Sequence, residues 1–453
     1  MKKLNIMLLC GLLSVAGCTQ EEPKEVPVIE SGTAGDLTWK LHENGTLAIN
    51  GKGAMPDYLS STWGESSAPW NEYRDEVTDV IIGNGITHIG NYAFHGFRQL
   101  KSVTMGNSVA TIGSNAFNVC INLPSVNIPN TVTIIGDYAF NNCFSLSSVI
   151  MGNSVMSIGN NAFAVCAMTS VIIPSSVISI GYNIFLSCDS LTSIYVDGSN
   201  TAFCSENGVL FNRTKTTLIK YPPKKAGVSY TIPNSVTVIE RSAFRSCKEL
   251  TAVTIPYSVT TIGEDAFFNC SGLTSVIIPN GITFLSYQMF SNCTGLTSVI
   301  IPNSVTSIGN SAFWGCSGLT SVTIPENVTG IGDYAFASCT GLTAITIPNS
   351  VSSIGRNAFA SCRSLTSITI GNSVTNIGTQ AFSYCRGLSE IINHRTIPQT
   401  INDIGYYAQY NTFLEINKTT CTLFVPAGSE DAYRAADGWK DFVNIKAINT
   451  DEI

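Results

Sequence analysis

Charge is what this sequence has least of. Asp, Glu, Lys and Arg make up 12% of the 453 residues, about half the usual share. The net charge of -7 is spread thinly, with no long like-charge block. A nucleic-acid partner is therefore not expected, since it would require a basic face. Histidine is nearly absent: His42, His88, His95 and His394 are the four, and none belongs to an H-E-x-x-H motif. Fifteen cysteines include no C-x-x-C pair, so zinc-ligand spacing is missing. There is no G-x-S-x-G elbow and no Walker-type G-K-[ST]. Gly83-Asn84-Gly85 reads as a turn, and Glu264-Asp265 as solvated surface acids. These gaps point away from an enzyme and call for no metal or cofactor. Disorder is also excluded, because 44% of the chain is hydrophobic.

Long apolar runs are missing too. Leu4 to Leu13 is apolar but too short to span a bilayer. It follows Lys2 and Lys3 and precedes Val15-Ala16-Gly17-Cys18, an arrangement that resembles the bacterial lipoprotein lipobox. That resemblance implies a signal peptide over 1–17, cleavage before Cys18, and acylation of Cys18. Several acyl chains hold a protein firmly at a membrane, at roughly 0.8 kcal/mol per buried CH2. The acidic "TQEEPKE" after Cys18 resembles a surface-export signal. With Pro23 and Pro27, residues 18–33 read as a flexible tether.

What the sequence has in abundance is self-similarity. One phenylalanine recurs at Phe94, Phe117, Phe140, Phe163, Phe185, Phe244, Phe267, Phe290, Phe313, Phe336, Phe359 and Phe382. Nearly every step is 23 residues, with one of 22 and one of 59 that holds an insertion. In one unit, Val322 and Ile324 alternate as in a strand with one buried face. Pro325 then ends the ladder, because it lacks a donor. Gly332 marks a second turn and is expected to supply backbone angles that other residues avoid. The stretch "DYAFASC" reads as a short helical turn with Ala335, Phe336 and Cys339 inward. One such coil cannot bury its apolar side chains alone; stacked coils share a continuous core and extend a parallel sheet.

The pattern L-x-x-V-x-I-P-x-S-V-x-x-I-G-x-x-A-F-x-x-C, running from about Val77 to Leu388, resembles the BspA-like leucine-rich repeats of bacterial surface proteins. The fold class expected is a leucine-rich-repeat solenoid, with a parallel sheet on one face and short helical turns on the other. Its N-terminal β-hairpin cap covers 34–76, around the turn pair Asn44-Gly45. The solenoid covers 77–390, with a hairpin insertion at about 197–230 carrying strands Val209-Phe211 and Thr217-Tyr221. A strand, a short helix and a closing turn form a C-terminal cap over 391–453. Caps are needed because open solenoid ends expose unpaired strand edges.

Eleven cysteines stand three residues after the ladder phenylalanine, from Cys120 to Cys385. The first coil has Phe97 in that place. A position that accepts phenylalanine is hydrophobic, and free cysteine packs as a small hydrophobe. Stacked side chains run parallel about 4.8 Å apart, whereas a disulfide brings its Cβ atoms to about 3.8 Å. The ladder cysteines are therefore read as reduced core. Cys204 and Cys421 lie outside the ladder and could be exposed.

What remains for function is surface. Outward strand positions are mostly Thr and Ser, as at Thr320, Ser321 and Thr323. In three successive coils the fifth strand position is instead Ile150, Ile172 and Tyr195, and later Ile277 and Ile300. These residues suit strands by propensity alone; the other reading is an apolar stripe that receives a ligand. The resemblance implies a non-enzymatic, adhesin-like surface protein in the cell envelope, lipid-anchored at the outer membrane, whose partner is an extracellular protein or glycan. A glycan- or nutrient-capture lipoprotein is the alternative.

Overall fold

The structure is a computed structural model and describes residues 26–60, 66–401 and 411–449. Cys18, the signal-peptide reading and most of the tether lie outside the described residues. The described chain winds as a succession of stacked coils with three faces. The first carries strands such as Asp79–Ile82 and Ser102–Met105, paired in parallel with Ile81 opposite Thr104. The second carries two-residue strands, Thr111–Ile112 beside Ile134–Ile135 beside Ser157–Ile158. Each partner lies one coil away, so the 23-residue spacing of the sequence is the register of the sheet.

The third face is not helical, which corrects the expected short helical turns. Among the described residues the one α-helix is Glu430–Ala435, near the C-terminus. In the "DYAFASC" coil, Tyr334 and Ser338 take φ of 56° and 61° on either side of Phe336. This left-handed backbone interrupts any helical run. Alternate N–H groups then point to the next coil: Tyr334 N–H to Arg356 O, Phe336 N–H to Ala358 O and Ser338 N–H to Ala360 O, at 2.8, 2.7 and 2.7 Å. The third face is thus an inter-coil ladder in which these donors all point one way.

Gly332 is also used differently from expectation. Its φ is not left-handed, but a Cβ there would meet Asn310 Oδ1 at 2.5 Å and Asn310 N at 2.7 Å. Glycine is required by the close approach of the preceding coil, and the left-handed angles fall to Tyr334 and Ser338 instead.

The ladder phenylalanines stack face to face. Phe140 and Phe163 have ring centroids 5.4 Å apart and parallel planes. Trp70 extends the row before Phe94, at 5.8 Å, and its indole N–H donates to Ala93 O at 2.8 Å. At the far end Phe413 stacks on Phe382 at 5.8 Å, and Trp439 lies 5.0 Å beyond. The row is broken at the insertion, where Tyr221 restarts it against Phe244. The buried residues fall into two cores that divide at this point.

Several boundaries differ from the sequence reading. Residues 28–33, assigned to the tether, belong to the strand Val28–Ala34, which pairs antiparallel with Leu37–His42. The hairpin at Asn44-Gly45 joins Leu37–His42 to Thr46–Asn50, with Gly45 at φ 79°. Both ladders continue past residue 390, through Glu390–Asn393 and Thr400–Ile401. The expected closing turn contains a last strand, Asn444–Ala447, parallel to Thr422–Val425. The insertion has a third strand, Phe203–Glu206, ahead of Val209–Asn212 and Thr217–Lys220. The coil at 319–325 keeps its inward Ile324 but has no first-face strand.

Candidate functional surfaces

Ile172 and Tyr195 stand directly opposite each other on paired strands, and Ile150 occupies the same place on the preceding first-face strand. They are 62% (Ile150), 64% (Ile172) and 52% (Tyr195) exposed. Ile277 and Ile300 form a second exposed pair in register. The threonines that precede strands on the two sheet faces bond the solenoid itself: Thr297 Oγ1 donates to Thr274 O, and Thr306 Oγ1 to Thr283 O, both at 3.1 Å. These threonines stabilise coil stacking, while the exposed isoleucines leave apolar surface with no covering partner among the described residues. A second departure escaped the sequence reading. On the second face, Met156 and Ile178 are exposed where Thr133 stands one coil earlier, linked by the bonds Met156 N–H to Thr133 O and Ile178 N–H to Met156 O. Threonine and isoleucine both suit a strand, so only the face assignment separates this row from the core.

The insertion lies against the stripe. Ile194 N–H donates to Gly208 O at 2.9 Å, and Val196 N–H to Ser205 Oγ at 3.1 Å. These bonds cover the edge of the strand Ser193–Val196 and place the hairpin turn beside Tyr195.

The ladder cysteines are free and buried. They do more than fill space. Each thiol donates to a carbonyl of the preceding coil, as Cys143 Sγ does to Phe117 O at 3.2 Å and Cys293 Sγ to Phe267 O at 3.1 Å. Burial pushes the Cys188 thiol up to about 11 and the Cys339 thiol up to about 12, so these are poor nucleophiles. Outside the ladder, Cys421 is fully buried and Cys204 is half-buried, donating to Asn212 O at 3.3 Å.

Among the described residues no group of three His, Cys, Asp or Glu could hold a metal. His88 lies between Asp57 Oδ1 at 3.1 Å and Thr111 Oγ1 at 2.6 Å, a link from the N-terminal segment to the first coils. Of the two acids read as solvated, Glu264 pairs with Arg241 at the surface. Asp265 is mostly buried 3.7 Å from Arg245, and burial raises its carboxyl above the usual range against the pull of that arginine.

A cavity of about 420 Å³ lies at the break between the two cores. Its walls come from the last regular coil (Ile180 to Leu186), the insertion (Phe203, Asn212, Thr217, Ile219, Lys220) and the next coil (Glu240, Arg241, Ser242). Lys220 is only 6% exposed, and its Nζ donates to Ser242 O at 2.9 Å. Asn183 Oδ1 and Ser242 Oγ are buried there without a hydrogen-bond partner. Nothing in the sequence separates Lys220 from an ordinary strand-end lysine. Only the missing coil beside it produces the cavity.

Comparison with known proteins places this architecture. The BspA type leucine rich repeat region matches residues 72–192, 224–340 and 306–425, six copies in all. The chain belongs to the BspA-type leucine-rich-repeat family. A leucine-rich repeat protein from Eubacterium ventriosum is 28% identical, with a TM-score of 0.70 over 84% of this chain and 99% of its own. A leucine rich cell surface protein from Faecalibacterium prausnitzii is 27% identical over 87% of this chain and 99% of its own, with a TM-score of 0.48. The pneumococcal vaccine antigen PcpA, 19% identical, covers 93% of this chain and 99% of its own at a TM-score of 0.50, a likeness of fold. No curated protein matches the chain.

Proposed function

We propose that this BspA-type protein is a non-enzymatic, surface-displayed binding protein. In this reading Cys18 is the lipid anchor and the first face receives an extracellular protein. The observation that carries it is the register of Ile150, Ile172 and Tyr195, three exposed side chains with large apolar surface at the same outward place in successive coils, beside the insertion. A tyrosine beside aliphatic groups combines an apolar body with a hydroxyl, a pairing enriched at interfaces. The family membership and the cell-surface description of the Faecalibacterium relative agree with display outside the cell. The low charge leaves contact rather than steering to supply affinity. The test is a panel of host-matrix proteins and glycans presented to the intact protein by surface plasmon resonance. A saturable protein partner supports the reading; binding confined to glycans transfers it to nutrient capture.

A further inference from the structure

At every regular coil boundary the third-face donors meet carbonyls. Asn161 N–H reaches Tyr182 O at 3.0 Å, Phe163 N–H reaches Ile184 O at 3.1 Å, and Val165 N–H reaches Leu186 O at 2.7 Å. One coil later the same three places are Asn183, Phe185 and Ser187. Asn183 and Ser187 have the same left-handed φ, 58° and 52°. Among the described residues no acceptor takes their N–H groups. The coil that would supply the carbonyls is replaced by the insertion, and Asn183 and Phe185 line the cavity left between. Backbone N–H groups left without an acceptor beside a cavity are donors that a bound oxyanion can satisfy.

The opposite wall supplies a cation. Tyr221 holds the ladder place against Phe244 and donates its N–H to Ala243 O at 2.9 Å. Lys220, just before it, therefore falls where the following coils have Ala243 and Ala266. A lysine in an alanine column is costly unless its charge meets a partner, and among the described residues Lys220 bonds only a neutral carbonyl. Burial pulls its pKa below the usual lysine range, which a bound anion would reverse. Ser242 Oγ, on a residue 2% exposed, adds an unused hydroxyl. Ile180, Ile184, Phe203 and Ile219 supply an apolar part of the wall; Arg241, paired with Glu264, is a second cation among the lining residues and Glu240 the one carboxylate.

We infer that the cavity between the two cores is a binding site for a small amphipathic oxyanion. Its carboxylate or phosphate head lies between the N–H groups of Asn183 and Phe185 and the Lys220 ammonium, and its short apolar body lies against Ile184, Phe203 and Ile219. The volume suits a ligand of this size. The site is independent of the sheet-face partner, and either can fail without the other.

The experiment titrates octanoate, octyl phosphate and octylamine into the intact protein by calorimetry. The amide resonances of Asn183, Phe185 and Ser187 are followed in parallel. The expected result is saturable one-site binding of octanoate or octyl phosphate, with the Asn183 and Phe185 amides shifting. The difference between the two heads shows which oxyanion is preferred. Lys220→Met should weaken binding at least tenfold, equivalent to about 1.4 kcal/mol. Ile219→Trp, which fills the cavity while keeping the lysine, should abolish it and decides the matter if Lys220→Met does not fold. No saturable binding of either anion overturns the inference. So does octylamine binding as tightly as octanoate, or anion binding that leaves the Asn183 and Phe185 amides unmoved.

Discussion

The thiol of Cys316 donates to the carbonyl oxygen of Phe290, 3.1 Å away and one coil back. The same carbonyl also receives Cys293 N–H at 3.1 Å. The ladder cysteine thus fills the core and adds a second donor to a buried acceptor, which explains a small polarizable residue there in preference to alanine.

Cys316→Ala is expected to cost about 1–2 kcal/mol in denaturant unfolding, from lost volume and a lost weak donor. Cys316→Asp should cost considerably more, because an unpaired charge would enter the core. Thiol labelling of the native protein should modify few ladder cysteines, and labelling after denaturation should modify all of them. Rapid native labelling of many ladder thiols would contradict this packing.

Burial raises at least eight ladder thiols, those of Cys120, Cys143, Cys166, Cys188, Cys247, Cys293, Cys316 and Cys339. A raised folded pKa favours the neutral thiol, so its contribution is complete below the unfolded value near 8.5 and is lost as pH climbs toward the folded one. In that window each thiol withdraws up to about 1.4 kcal/mol per pH unit. Thermal unfolding followed from pH 7 to 11 should therefore show a steep fall in Tm above about pH 9. A Tm that stays flat to pH 11 would mean the thiols are not jointly buried.

The repeat, its register and the inward phenylalanines were legible because a 23-residue period permits only stacked coils. The third face was misread. Ala335, Phe336 and Cys339 have helix-like spacing, and nothing in "DYAFASC" announces that Tyr334 and Ser338 are left-handed. The stripe could be located, since Ile150, Ile172 and Tyr195 follow one another at an outward place where coils such as those of Thr254 and Thr369 carry threonine. The cavity at Lys220 could not, because it arises from what the insertion displaces.

Gly332→Ala and Gly330→Ala should move stability in opposite directions. At Gly332 the new methyl collides with the Asn310 backbone, whereas at Gly330 the nearest atom is Ser353 Oγ at 3.7 Å. The first should destabilise by about 2 kcal/mol or more. The second should stabilise by about 0.5 kcal/mol, by restricting the unfolded chain. Equal effects at the two sites in denaturant unfolding would contradict the steric explanation.

Anchoring is tested at Cys18. In bacterial cells that acylate lipoproteins, Cys18→Ala should leave the chain unprocessed or released from the membrane fraction, read by fractionation and intact mass. A Cys18→Ala chain that is cleaved and membrane-held like its parent rules out the lipid anchor while leaving the solenoid untouched.

The sheet-face reading is tested by changing Ile150, Ile172 and Tyr195 together to threonine. Threonine keeps strand preference and is the residue other coils already use in this column, as at Thr254 and Thr369. The three side chains are exposed, so the variant should unfold at nearly the parent temperature. Binding to the partner found in the panel should weaken at least tenfold, a loss of about 1.4 kcal/mol or more. Apolar contact should dominate, so affinity should change little between low and high salt. Changing Met156 and Ile178 to threonine gives the matching control on the second face, and it should leave affinity unaltered. If the triple variant binds like the parent while this control does not, the second face is the binding surface. If both bind normally, the partner docks elsewhere, with the turn from Asn212 to Lys215 the next place to test.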